Sequence, residues 1–359
     1  MKCFNDYNVN ITTLKNNANN IKSKVGASVK FCAVVKANAY GMGIDTAVKE
    51  LSGIADFFAC ACVKEAAKIR LVDKLTKLLI LGACDIRDLN FVADNNISIS
   101  ISSLAQLEDI IANCNKKINV HIQVNTGLNR FGIKNITELR RVLELCKNNK
   151  FITIEGVYSH FATKSNDVEY MNKQFLRFLQ FKKIVKLKNV IFHIANSYAT
   201  ISSNKYHLDM VRTGFLLYGQ MSNNIGNKPV ISISSKIVNI TLVKRGDSIG
   251  YDRTYRVNSS MKIAVVPIGY ADGLNRKVSN KFSVIIKDTL CPIVGLVCMD
   301  VFMVDVSKIH VQVGDKVTIL GESATKEITL NDYAKCVETS PYEVLCNFNY
   351  KRMNYNIKK

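Results

Sequence analysis

Lys36 closes the apolar run FCAVVK (31–36) and is followed at short range by Asn38 and Tyr40. Polar residues recur in the same way behind later apolar runs: Arg130 in NTGLNRFG, His160 in TIEGVYSHF, Asn196 and Ser197 at the end of NVIFHIANS, and Arg212 within MVRTGFLLYG. The set holds an amine, an imidazole, guanidiniums and phenols, but no acidic pair. Glycoside hydrolysis, which needs two opposed carboxylates, is therefore disfavoured. A bound anion and a reactive amine suit the set better. A lysine desolvated at a strand end is held as the neutral amine, and a neutral amine forms a Schiff base with a carbonyl compound. On position alone the plainer readings compete: Lys36 snorkelling into water, His160 a packed strand-end imidazole, Asn196 a helix cap.

These residues need elements to position them. Between about residues 30 and 219, β-branched apolar runs recur: FCAVVK (31–36), FFACACV (57–63), LLILGA (78–83), ISISISS (97–103), NVHIQVN (119–125), TIEGVYSHF (153–161), NVIFHIANS (189–197) and MVRTGFLLYG (210–219). Most gaps carry helical spacing, as in LAQLEDIIANC (104–114) and ITELRRVLELC (136–146). Eight strand–helix units predict an α/β fold, a parallel (β/α)8 TIM-type barrel, whose working face lies at the C-terminal ends of the strands. After Asn227 the segments alternate and are punctuated by turns (ISISSKIVNITLV, KIAVVPIGY, FSVIIKD, VFMVDVS, KVTILG), which predicts a C-terminal antiparallel β domain. The expected boundaries are residues 1–10 as a strand joining the β domain, 11–228 as the barrel and 229–359 as the β domain.

Composition narrows the function classes. With 359 residues, 48% hydrophobic and 22% charged, the chain can bury a sizeable core and is not a disordered tail. Its net charge of +20 is spread along the chain; KKIVKLK (182–188) reads as the exposed side of a helix, so no nucleic-acid partner is expected. Neither a bilayer-spanning apolar run nor a signal peptide is apparent, so no membrane association is expected. Eleven cysteines, without a C-x-x-C pair or zinc spacing, read as reduced core residues in the cytoplasm, with no metal site.

AVVKANAYGMG (33–43), VYSHFAT (157–163), HIANS (193–197), MVRTGFLLYG (210–219), GYDRTY (250–255), PIGYADG (267–273) and GLVCMD (295–300) together resemble alanine racemase, in family order and across nearly the whole chain. The resemblance implies a pyridoxal 5′-phosphate enzyme interconverting L- and D-alanine, supplying D-alanine for peptidoglycan. Lys36 would carry the cofactor as an imine and serve one face as catalytic base. Tyr251 would serve the other face, reaching the cofactor of the opposite subunit in a homodimer. Tyr40, Ser197, Gly214, Phe215 and Tyr350 would hold the phosphate, and His160 and Asn196 would lie at the cofactor. Arg212 would donate to the pyridine nitrogen, leaving it unprotonated and the ring a weaker electron sink. Arg130 and Met299 would contact the substrate carboxylate, and Tyr270 would narrow the entrance.

Departures from the family pattern bear on the substrate. Gln123 stands where a carbamylated Lys is common, Asn125 where Asp is common, Met42 for His and Thr213 for Pro. Alanine is the expected substrate, with serine or another small amino acid as the rival. A pyridoxal-phosphate decarboxylase and a non-catalytic pyridoxal-phosphate carrier are weaker alternatives. The decarboxylase lacks its acidic partner for the ring nitrogen, and the carrier needs no second domain.

Overall fold

The structure is a computed structural model that describes residues 4–163, 167–221, 224–348 and 350–359. Two compact units divide the chain: Leu14–Asn227, and Met1–Thr13 together with Lys228–Lys359. Strand β1 (Asp6–Asn10) belongs to the second of these.

In the first unit the eight apolar runs form strands β2 (Lys30–Val34), β3 (Phe57–Cys60), β4 (Lys77–Ile80), β5 (Ile97–Ile101), β6 (Ile118–Gln123), β7 (Ile152–Tyr158), β8 (Ile191–His193) and β9 (Met210–Thr213). All pair in parallel, in the order β8-β7-β6-β5-β4-β3-β2-β9. The seam between β8 and β9 is bridged outside a regular ladder, where Asp209 N–H donates to Phe192 O and Arg212 N–H to Ala195 O, each at 3.0 Å. The result is the expected α/β architecture, an eight-stranded, nearly closed parallel barrel.

Apolar runs suit these strands because both faces are covered; β3 and β5 are buried along their whole length. Helix Ile136–Asn148 buries Leu139, Val142 and Cys146, the spacing of one helical face, and Asn135 caps it by accepting the Glu138 N–H at 2.8 Å. One sequence expectation is corrected here. The helix preceding β8 ends at Ile184, so most of KKIVKLK lies beyond it, and Val185 is buried rather than on an exposed helical side.

The second unit holds β10 (Ile231–Lys236), β11 (Asn239–Val243), β12 (Ser248–Ile249), β13 (Tyr255–Arg256), β14 (Met261–Val266), β15 (Ser283–Ile286), β16 (Thr289–Pro292), β17 (Phe302–Asp305), β18 (Lys316–Glu322), β19 (Glu327–Ile328) and β20 (Asn354–Lys358). The main sheet runs β16-β15-β18-β10-β1-β20, with β19 on β18; β11-β14-β17 and β12-β13 form smaller sheets. Pairing is antiparallel except between β1 and β20, the chain's two terminal strands, which run parallel. Two helices, Leu330–Cys336 and Pro341–Asn347, also interrupt the β pattern. Their starts were written in the sequence, as a Thr329/Asp332 capping box and a Ser340-Pro341 opening.

Candidate functional site

Immediately after Lys36 the backbone makes a left-handed turn: Ala37, Asn38, Ala39 and Tyr40 all have φ between 52° and 55°. For residues with a Cβ this costs on the order of 1 kcal/mol each, so something must hold the turn. Glu65 does much of this. Its carboxylate accepts the N–H groups of Ala37 at 2.7 Å and Ala61 at 2.8 Å. Asn38 then locks the exit by accepting the Ile44 N–H through Oδ1 at 3.0 Å. The turn leaves Lys36 half-buried and brings the buried Tyr40 back toward the strand ends.

Tyr40 meets the segment that follows β9. A Cβ at Gly214 would collide with the Tyr40 phenol, so only glycine permits this approach. Ser197 Oγ lies there too, accepting the N–H groups of Gly214 at 3.3 Å and Leu216 at 3.2 Å. Tyr40, Ser197, Gly214 and the buried Phe215 thus form one neutral, donor-rich corner of the barrel mouth. Asn196 caps the helix Ser197–Ser202 through an Oδ1 that accepts the Ala199 N–H at 3.0 Å, the capping role anticipated beside its cofactor role.

Arg212 is buried and organises the neighbouring corner. Its Nη1 donates to His193 Nδ1 at 2.6 Å, and its Nη2 to Ser159 O at 2.7 Å and His160 Nδ1 at 3.2 Å. Asp209, three residues earlier, is engaged elsewhere: its carboxylate accepts the Phe192 N–H at 2.7 Å. The Tyr158 ring lies 5.1 Å from the guanidinium carbon and stacks on His193 at 4.9 Å. Among the described residues no group takes the Arg212 Nε–H, which leaves that donor for a ligand. Burial, then the charges of Arg212, Arg130 and Lys36, push the His160 imidazole down to about 3. His160 is therefore neutral at physiological pH, with Arg212 in direct contact and the charges of Arg130 and Lys36 also acting on it.

Arg130 is exposed on the loop after β6. Asn125 shapes that loop in place of an aspartate, its Oδ1 accepting the N–H groups of Gly127 at 2.9 Å and Asn129 at 3.2 Å. Gln123 is buried and accepts the Tyr158 hydroxyl at 3.1 Å, so a neutral amide occupies the place of an ionic group.

The second unit carries the remaining predicted residues. Tyr251 follows Gly250 in the loop between β12 and β13 and is 65% exposed, not a buried sheet aromatic. Tyr270 is 45% exposed on a short turn and Met299 53% exposed. Tyr270 N–H donates to Cys298 O at 3.1 Å and Ala271 N–H to Met299 O at 3.0 Å, so the two segments form one surface. Beside Tyr251 lies an open depression of about 380 Å³ lined mainly by Val243, Ile249, Ile263, Cys298 and Met303. Tyr350 packs at 5.2 Å against Tyr355.

Several participants were not singled out from sequence. Glu65 reads as an ordinary helical surface residue, and His121, His193 and Glu155 read as filler within strand runs. A glutamate followed by glycine inside an apolar strand, Glu155-Gly156, was the one available signal.

Comparison with known proteins agrees with this arrangement. The family model "Alanine racemase, N-terminal domain" matches residues 9–222, and "Alanine racemase, C-terminal domain" matches residues 230–355. The chain is 38% identical over 353 residues to alanine racemase 2 of Caldanaerobacter subterraneus subsp. tengcongensis, covering 94% of this chain and 91% of the relative. It is 35% identical to the alanine racemase of Francisella philomiragia, covering 94% and 95%. Among solved structures, the alanine racemase from Bacillus anthracis with bound L-Ala-P superposes with a TM-score of 0.92 at 30% identity, covering 100% of this chain and 96% of that one. The alanine racemase from Bartonella henselae with covalently bound pyridoxal phosphate gives 0.89 at 25% identity, covering 99% of each.

Proposed function

The chain belongs to the alanine racemase family and is an amino-acid racemase, an isomerase that interconverts L- and D-alanine; we propose that it does so with pyridoxal 5′-phosphate and two bases, Lys36 and Tyr251. The observation that carries this reading is the buried Arg212 bonded to His160 and His193, with the charges of Lys36 and Arg130 acting on the same His160 imidazole, beside the neutral corner of Tyr40, Ser197 and Gly214. The residues fit the cofactor. Ser197, Gly214, Phe215 and Tyr40 form a cradle that a Cβ at Gly214 would fill, and Arg212 keeps a donor in reserve for the ring nitrogen. Tyr350 is assigned to the same phosphate, and Asn196 supports the cradle by capping the helix that Ser197 opens.

When bound, the pyridoxal ring withdraws electron density from the substrate α-carbon and acidifies its hydrogen. Lys36 Nζ then takes or returns that proton on one face. The Tyr251 hydroxyl of the partner subunit serves the other, because inversion requires removal and delivery from opposite sides. The exposed Tyr251 loop and its apolar depression support a homodimer in which a second copy covers this surface. Arg212 holds its own protons and so keeps the ring nitrogen unprotonated, tempering electron withdrawal and favouring proton return over amino-group transfer. Arg130 and the Met299 backbone N–H hold the substrate carboxylate, and Tyr270 limits side-chain size.

The implied biological role is supply of D-alanine for peptidoglycan. No helix among the described residues is long and apolar enough to cross a membrane, and the ten described cysteines are all free thiols. Those thiols suit the reducing cytoplasm to which we assign the enzyme.

Circular dichroism of L-alanine and L-serine solutions incubated with the protein and pyridoxal phosphate tests the reading. Loss of ellipticity to zero is expected with alanine. Retained optical activity in both solutions would sink the racemase reading, and loss only with serine would reassign the substrate.

A further inference from the structure

A line of hydrogen bonds runs through the barrel interior away from Arg212. Arg212 Nη1 lies 2.6 Å from His193 Nδ1, His193 Nε2 lies 2.8 Å from His121 Nδ1, and His121 Nε2 lies 3.1 Å from Glu155 Oε2. Ser98 Oγ and Lys77 Nζ also donate to the Glu155 carboxylate, each at 2.5 Å. Arg212, His193 and His121 are all buried.

Only one direction of donation satisfies the line. A guanidinium has no acceptor, so His193 Nδ1 must accept, and a neutral His193 then carries its proton on Nε2. That proton is donated to His121 Nδ1, which leaves the His121 proton on Nε2, facing a carboxylate that can only accept. The two ends demand the same polarity. Reversing it would aim an imidazole N–H at the guanidinium. Burial, and then Arg212, keep His193 neutral; burial likewise lowers His121, while hydrogen bonds from His121, Lys77 and Ser98 outweigh burial and hold the Glu155 carboxyl down to about 2.

The strands are built around this line. Register between β6 and β7 shifts at His121: Val120 pairs with Ile154 and His121 with Gly156, so Glu155 is the extra residue of a β-bulge. Such an insertion re-aims a side chain, here into the barrel. A Cβ at Gly156 would collide with the His121 ring, so the next residue must be glycine for the imidazole to fit.

We propose that Glu155 is a positioning residue for Arg212: by holding His121 and His193 as Nε2–H tautomers, it fixes which guanidinium nitrogen is tied to the barrel and which donor remains for a ligand. The effect on turnover rests on the racemase reading above; the tautomer assignment does not.

Ring-nitrogen NMR of histidine-labelled holoenzyme tests it, since the chain has only five histidines. Wild type is expected to show both His121 and His193 neutral with the proton on Nε2; a Nδ1–H tautomer or an imidazolium at either overturns the proposal. In Glu155→Met, which removes the acceptor, the His121 signal is expected to leave that pattern, because its Nε2–H loses its partner while Arg212 still requires an accepting His193 Nδ1. There kcat for alanine should fall roughly tenfold with KM little changed, since Arg212 is not assigned to the substrate. Glu155→Gln keeps an acceptor oxygen and should restore both readouts. A folded Glu155→Met enzyme with wild-type kcat overturns the proposal. If that variant does not fold, the wild-type tautomers decide. A wild-type protein that shows the tautomers but leaves alanine optically active sinks the racemase reading alone.

Discussion

Glu65 reaches out of the helix Val63–Val72 to accept the Ala37 N–H at 2.7 Å, tying the residue beyond Lys36 to the next strand–helix unit. The same carboxylate takes the Ala61 N–H at 2.8 Å, so one anion spans two loops. This matters because the turn it holds is left-handed over four residues that all carry a Cβ. Replacing Glu65 with Ala is expected to lower stability by about 1–3 kcal/mol, since charged hydrogen bonds to loop amides are lost. Urea denaturation checks this, and lysine reactivity with added pyridoxal phosphate should fall in parallel. Unchanged values of both would remove Glu65 from any role in placing Lys36.

Tyr251→Phe separates proton transfer from cofactor binding. It is expected to lower kcat by on the order of a hundredfold or more while the absorbance of lysine-bound pyridoxal phosphate persists. A variant that retains near wild-type turnover would mean that the second base lies elsewhere.

Acid stability follows from buried neutral imidazoles. The folded-state values of His121, His160 and His193 are all lowered, so below the ordinary imidazole value the unfolded chain binds protons that the folded chain refuses. Stability therefore rises with pH in that range and is lost as pH falls through about 6.5, with a slope of about 1.4 kcal/mol per pH unit for each such histidine. Glu155 adds to the loss lower down. Its carboxylate, held to about 2, contributes stability above the ordinary carboxyl value that disappears as pH falls toward 2. Urea midpoints measured from pH 7.5 to about 5 should decline steadily, and a flat profile would show that these histidines charge in place.

Thr213 follows Arg212 in β9 and is fully buried, yet its hydroxyl has no hydrogen-bond partner among the described residues. Thr213→Val keeps the shape and removes the unpaired polar atom. A gain of about 1 kcal/mol is expected from thermal or chemical denaturation. Destabilisation of similar size would show that the hydroxyl is satisfied in solution.

Legibility was uneven, and the reasons are physical. The eight strands of the barrel were readable because most are apolar runs covered on both faces, as β3 and β5 are throughout, and helices such as Ile136–Asn148 because a covered helix repeats its apolar residues at three and four. The helices Leu330–Cys336 and Pro341–Asn347 were missed despite their capping signals, because both are short and sit among alternating segments. The left-handed turn after Lys36 had no signal at all. Glycine usually marks positive φ, and Ala37–Tyr40 contains none.

Which chemical groups the chain carries, and their order along it, was determined by the sequence alone: a lysine, a histidine and two arginines behind apolar runs, and a tyrosine after Gly250. What those groups do to one another was decided only in three dimensions. His121, Glu155 and His193 are far apart in the chain and unremarkable in their local patterns. They act on Arg212 because barrel closure brings β6, β7, β8 and β9 around one interior and because a single bulge turns Glu155 inward. Periodicity reports which strand positions share a face, but a strand buried on both sides gives no sign of which face looks into the barrel.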